Sequence, residues 1–127
     1  MKLAIFDMDG TLLDSMWMWR TVLTRFLEKL QLPDYKEIND SVSQMSFTKA
    51  MQYVTDHYDV GMTADELYGA LEKYILWLYE NEIEMKPYVR KYLDKLSQEG
   101  VIMCLATLTD RYMAETVLKR LDIYKYF

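Results

Sequence analysis

Cysteine, histidine, proline and glycine are all scarce in this chain, with one Cys, one His, two Pro and four Gly among 127 residues. The lone Cys104 can form no internal bridge, which excludes a disulfide scaffold and fits a reducing compartment, so a cytoplasmic location is expected. None is needed for stability, because at this length a compact fold buries about two thirds of the surface of its unfolded chain. Few glycines and prolines, no repeat period and no low-complexity tract leave no disordered linker. Basic charge is also in deficit: 15 Lys and Arg against 20 Asp and Glu give a net charge of −5. Nucleic-acid binding wants clustered Lys and Arg, so no nucleic-acid partner is expected. No uncharged apolar run approaches the roughly 20 residues of a membrane-spanning helix, and the opening Leu3-Ala4-Ile5-Phe6 meets an acid too soon for a signal peptide. No membrane partner is expected either.

Two short continuous apolar runs are present, Leu3 to Phe6 ending in Asp7 and Val101 to Ala106 ending in Thr107. Such runs suit parallel strands covered on both faces. The pattern between them is helical. Met16, Trp19, Leu23, Phe26, Leu27 and Leu30 recur three or four apart, as do Phe47, Ala50, Met51, Val54 and Tyr58, and then Leu67, Leu71, Tyr74, Ile75 and Leu78. Thr63-Ala64-Asp65-Glu66 reads as a capping box before the last of these stripes. Pro87 opens a further helix along Val89, Tyr92, Leu93 and Leu96, Gly100 stops it, and a last stripe, Met113, Val117 and Leu121, follows Asp110.

The expected fold class is therefore α/β, in the order strand, helical insert, helix, strand, helix. The α/β core is expected over 1–14 and 87–127 and a helical insert over 15–86. A right-handed crossover brings the carboxyl ends of two parallel strands to one edge of the sheet, where ligands of such folds bind. Asp7 and Thr107 are then expected at one crevice.

Asp7-Met8-Asp9-Gly10-Thr11 follows the first strand directly. Two carboxylates at this spacing can divide the work, the first as nucleophile or metal ligand and the second aimed at a leaving group, while Gly10 permits a tight turn. The glycine comes two residues too early for a calcium loop. The plain alternatives are a solvated turn for the aspartates and a helix-cap neighbour for Thr107. Asp14 is expected to cap or hinge, His57 to serve a structural or surface role, and Cys104 to lie inert in a buried strand. Trp17, Met18 and Trp19 are expected in packing, and no ligand box is read into the eleven tyrosines.

Phe6-Asp7-Met8-Asp9-Gly10-Thr11-Leu12-Leu13-Asp14-Ser15 resembles the first motif of the haloacid dehalogenase superfamily, and Leu105-Ala106-Thr107 resembles its second. The helical insert stands where the phosphoglycolate phosphatase and β-phosphoglucomutase branch carries its cap. The resemblance implies a partial Rossmann-like parallel sheet core and a Mg²⁺-dependent phosphatase for a small phosphorylated metabolite. It implies Asp7 as nucleophile and metal ligand, and Asp9 as acid and base with its backbone carbonyl on the metal. Thr107 and the amide of Leu108 would hold the phosphoryl oxygens.

The pattern also departs from the family, whose members follow the second motif with a lysine and then a strand ending in acids that complete the magnesium site. Lys119 and Lys125 come too early for that lysine, and no acidic strand end follows. The expectation is an N-terminal portion of a longer protein, with weak or absent turnover by itself. A sugar phosphomutase ranks second, because Ser43-Gln44-Met45-Ser46-Phe47 lacks the basic and glycine residues a second phosphate would need. The third reading is a non-catalytic module that self-associates or binds a partner through an open sheet flank.

Overall fold

The computed structural model describes every residue from Met1 to Phe127. Its elements run β1 (Leu3–Phe6), β2 (Leu13–Asp14), α1 (Met16–Lys29), α2 (Tyr35–Val42), α3 (Phe47–His57), α4 (Ala64–Asn81), β3 (Glu84–Met85), α5 (Val89–Gln98), β4 (Ile102–Leu105) and α6 (Arg111–Arg120), with a short 3₁₀ turn at Tyr124–Tyr126. The fold is mixed α/β, as expected. The chain divides into two compact units, one of Met1–Trp17 with Trp77–Phe127 and one of Met18–Leu76. None of the helices is long and apolar enough to cross a membrane.

In the α/β unit, β1 and β4 pair in parallel, Leu3 opposite Ile102 through Phe6 opposite Leu105. Both strands therefore end at the same edge, and the Ala106 N–H donates to the Phe6 carbonyl at 2.8 Å to extend the ladder. Alternation along the strands turns Ala4, Phe6, Met103 and Leu105 to the inner face. Met103 is buried there, and Phe6 meets the rings of Tyr92 and Phe127 edge to face, at 6.3 and 6.1 Å. The outer face corrects two expectations. Leu3, Ile5 and Ile102 are 58, 66 and 51% exposed, and Cys104 beside them is exposed as well. The apolar runs mark strands but not strands covered on both faces, and Cys104 lies on the uncovered side because period-2 alternation places it with Ile5 and Ile102.

A second ribbon, β2 with β3, pairs antiparallel, Leu13 opposite Met85 and Asp14 opposite Glu84. Neither two-residue strand has a periodic signal, and sequence reading gave neither. Two arginines satisfy carbonyls that helix ends leave open. Arg120 donates from Nε to the Tyr79 carbonyl at 2.9 Å, donates also to the Ile83 carbonyl, and pairs with Glu84. Arg90 donates to the Leu121 and Asp122 carbonyls just past α6. Gly100, at φ +69°, closes α5 as the spacing predicts.

The helical unit holds most of α1, all of α2 and α3, and most of α4. Its buried side chains are Met18, Val22, Phe26, Leu27, Ile38, Val42, Ala50, Met51, Val54, Leu67, Leu71 and Ile75. Those of α3 and α4 follow the predicted stripes. In α1 the phase differs: Met18 and Val22 are buried where Met16 and Trp19 were expected, and Met16 is 40% exposed. Met16-Trp17-Met18-Trp19 is apolar all round, so periodicity alone cannot choose the inward face. Ser46 caps α3 by accepting from the Lys49 N–H. Thr63 and Glu66 form the predicted capping box, with reciprocal bonds of 2.9 and 3.2 Å.

Candidate active site

The loop after β1 is folded around one carbonyl. Met8 is fully buried, and its C=O accepts from the N–H groups of Thr11, Leu12 and Leu13 at 3.2, 2.9 and 3.0 Å, while the Gly10 N–H donates to the Leu13 carbonyl at 2.9 Å. Gly10 stands at φ +78°, and a Cβ there would meet the Met16 side chain at 2.9 Å. Leu12 and Leu13 are buried beneath the loop, so it is pinned by apolar packing as well as by hydrogen bonds. Anchoring of this kind fixes where Asp7 and Asp9 start.

The two carboxylates have different surroundings. Asp7 is exposed at the strand tip and accepts from the Thr11 hydroxyl at 3.1 Å. Asp9 is half-buried, and three hydroxyls converge on it. Ser15 Oγ and Tyr79 OH each donate to its Oδ1 at 2.7 Å, and Thr109 Oγ1 donates to its Oδ2 at 2.6 Å. These charge-assisted O–H bonds are the strong kind, and three of them on two oxygens hold the carboxylate plane.

The loop after β4 carries the partners. Thr107 is half-buried at the edge shared with Asp7, and its Oγ1 accepts from the Thr109 N–H at 3.1 Å. The Leu108 side chain is fully exposed, so any contribution from this residue comes from its backbone. Asp110 caps α6 by accepting from the Tyr112 and Met113 N–H groups, which sets the helix start just beyond the threonines. A hollow of about 390 Å³ opens beside this loop, bordered by Thr107, Thr109, Arg111 and Phe127 among others. The Arg111 guanidinium there is committed to Glu115, 2.9 Å away, and the pair holds the carboxyl below and the guanidinium above their ordinary values.

Asp9 and Thr109, a hundred residues apart in sequence, are thus in direct contact. The other candidates lie elsewhere. Lys119 pairs with Glu115 at 3.3 Å and lies over the Tyr124 ring, and Lys125 pairs with Asp122 at 2.9 Å. His57 is exposed and stacked on Tyr53. Asp14 is exposed in β2. Sequence reasoning missed Ser15, Tyr79 and Thr109 as partners of Asp9. Thr109 carried a faint local signal, standing two residues past Thr107 in Thr-Leu-Thr-Asp. Tyr79 carried none, because a tyrosine at a buried helical position reads as packing.

The chain is 22% identical over all 127 residues to a phosphorylated carbohydrates phosphatase of Thermotoga maritima. It is 25% identical over 112 residues to a Drosophila melanogaster protein named as a probable pseudouridine-5′-phosphatase. It spans 59% and 48% of the length of these two relatives. Among solved structures, a Thermotoga maritima protein assigned as a β-phosphoglucomutase superposes on the whole chain with a TM-score of 0.79 at 22% identity, the chain spanning 59% of it. At that identity the likeness is one of fold. A family model describing haloacid dehalogenase-like hydrolases matches residues 4–127, and the chain belongs to that family.

Proposed function

We propose that this protein is a Mg²⁺-dependent phosphatase of a small phosphorylated metabolite, acting through an aspartyl-phosphate on Asp7. The observation that carries the reading is the pairing of two strand tips. An Asp-x-Asp loop after β1 and a threonine loop after β4 share one sheet edge, tied by the 2.6 Å bond from Thr109 to Asp9.

Asp7 is exposed and lightly held, which suits a nucleophile that must reach phosphorus. Its oxygen forms the new bond to phosphorus as the bond to the leaving oxygen breaks. Asp9 gives a proton to that oxygen, then takes one from the water that releases phosphate and restores Asp7. The Thr107 hydroxyl and the Leu108 amide, just before α6, would receive the phosphoryl oxygens. The helical unit, Met18–Leu76, would serve as the cap that selects the substrate.

The oxygen donors present suit a hard ion such as magnesium and supply part of its shell. No group of three acidic, His or Cys side chains could hold a metal by itself, and Mg²⁺ does not need one, since it keeps several waters and shares substrate phosphate oxygens. Asp7 would supply a carboxylate oxygen and Asp9 its main-chain carbonyl, because the Asp9 carboxylate already accepts three hydroxyls. When bound, the ion supplies charge neutralisation between nucleophile and phosphoryl group. A free Cys104 is consistent with action in the cytoplasm.

The test uses the full-length gene product and its Asp7→Asn variant, incubated with Mg²⁺ and a panel of sugar phosphates. Quenching in acid and mapping peptides by mass should find a phosphoryl group on the Asp7 peptide and phosphate released, both lost in the variant. Equal phosphate release by the two proteins overturns the proposal. Transfer of phosphate to a second sugar carbon without release would make the protein a mutase instead.

A further inference from the structure

We infer that Thr109 is a positioning residue joining the two halves of the reaction, through its hydroxyl to Asp9 and through its amide to Thr107. The inference rests on the reading of Asp9 as acid and base. Of the three hydroxyls on Asp9, Ser15 and Tyr79 both donate to Oδ1, whereas Thr109 donates to Oδ2. Two donors on Oδ1 occupy both of its lone pairs, so that oxygen has no position left for the leaving group. The third donor takes one lone pair of Oδ2 and sets the direction of the other, where the transferred proton sits.

The same residue acts on the phosphate side. A threonine hydroxyl has two acceptor positions and one hydrogen. With the Thr109 N–H donating into the Thr107 oxygen at 3.1 Å, the Thr107 hydrogen is turned away from that bond and is free to meet an anionic oxygen. One backbone position thus sets both the direction of a phosphate donor and the plane of a proton carrier. Tyr79 OH lies 3.5 Å from the Thr109 hydroxyl, so the network closes without another side chain.

Thr109→Val keeps the amide and the shape but removes the hydroxyl, and Thr109→Ser restores it. The measurement is kcat/KM of the full-length gene product for two esters. Glycerol 2-phosphate expels an alkoxide that needs a proton, while p-nitrophenyl phosphate expels a weak base that does not. A general acid contributes about 10²- to 10⁴-fold. Losing part of its alignment in Thr109→Val should lower kcat/KM for glycerol 2-phosphate about tenfold and leave the p-nitrophenyl ester within about twofold. Thr109→Ser should recover most of the alkyl activity. The ratio between esters is internal to each preparation, so partial misfolding does not alter it.

Equal losses on both esters, or no loss on either, overturns the positioning role. Asp9→Asn is the reference: it should lose the alkyl ester far more than Thr109→Val does. If Asp9→Asn leaves the alkyl ester untouched, the assignment of Asp9 itself falls. If only Thr109→Val leaves it untouched, the assignment of Asp9 stands and the inference about Thr109 falls.

Discussion

The two units differ in how far their polar bonds reach along the chain. Within Met18–Leu76 the described side-chain bonds are mostly local, such as Gln52 to Asp56, His57 to Tyr53 and the Thr63–Glu66 box, with Thr24 to Asn39 spanning fifteen residues. The α/β unit has local bonds too, such as Arg111 to Glu115, but adds several that join distant segments: Tyr79 to Asp9 over 70 residues, Thr109 to Asp9 over 100, Arg120 to the Tyr79 carbonyl over 41. The helical unit is a periodic core with local caps. The α/β unit is also stitched by polar side chains, and two of the stitches meet on Asp9.

Core truncation should have the largest effect of any change that tests this contrast. Leu71 is fully buried in α4, and Leu71→Ala should cost about 2 to 5 kcal/mol by urea denaturation. A loss below about 1 kcal/mol would deny that the helical unit depends on its apolar stripe. Next comes Arg120→Met, which keeps most of the side chain's bulk and removes donors to the Tyr79 and Ile83 carbonyls. Leaving those acceptors unmet should cost about 1 to 3 kcal/mol. An unchanged midpoint would mean that the long stitches add no more than local caps do.

The smallest effect should come from Glu115, on the surface of α6, whose carboxyl is held below its ordinary range chiefly by the Arg111 hydrogen bond and then by Lys119. A lowered folded-state value means that its stabilisation is full above the unfolded carboxylate range and fades as the pH falls through the folded value. Glu115→Gln should therefore narrow its stability gap to the parent on acidification. The effect should be slight, because exposed pairs contribute little. A gap that widens in acid would contradict the pairing.

Legibility followed the same divide. The stripes of α3, α4 and α6 and the capping box follow from spacing, because burial of one face imposes a period that the residues must obey; in α5 only Leu93 of the expected stripe is buried, and Tyr92 is 53% exposed. Asp7 and Thr107 were legible as candidates because each follows an apolar run that ends abruptly in a polar group, and Asp9 because it stands two residues after Asp7 and just before a glycine. The phase of α1 was not, since four consecutive large apolar residues satisfy more than one inward face. The β2–β3 ribbon was not, because two residues are too few to show alternation. Ser15, Tyr79 and Thr109 escaped because hydroxyl partners of a carboxylate are chosen by three-dimensional proximity, which leaves no period behind.

The left-handed backbone at Gly10 makes this position a bottleneck for change. Any replacement there would need a strained backbone dihedral and would press its first carbon into the thioether of Met16. A side chain at Gly10 would make the Met16 side chain shift and would keep the torsional strain wherever Met16 went. Chemical diversification of this scaffold should therefore proceed around that residue, with the turn itself handed down unaltered.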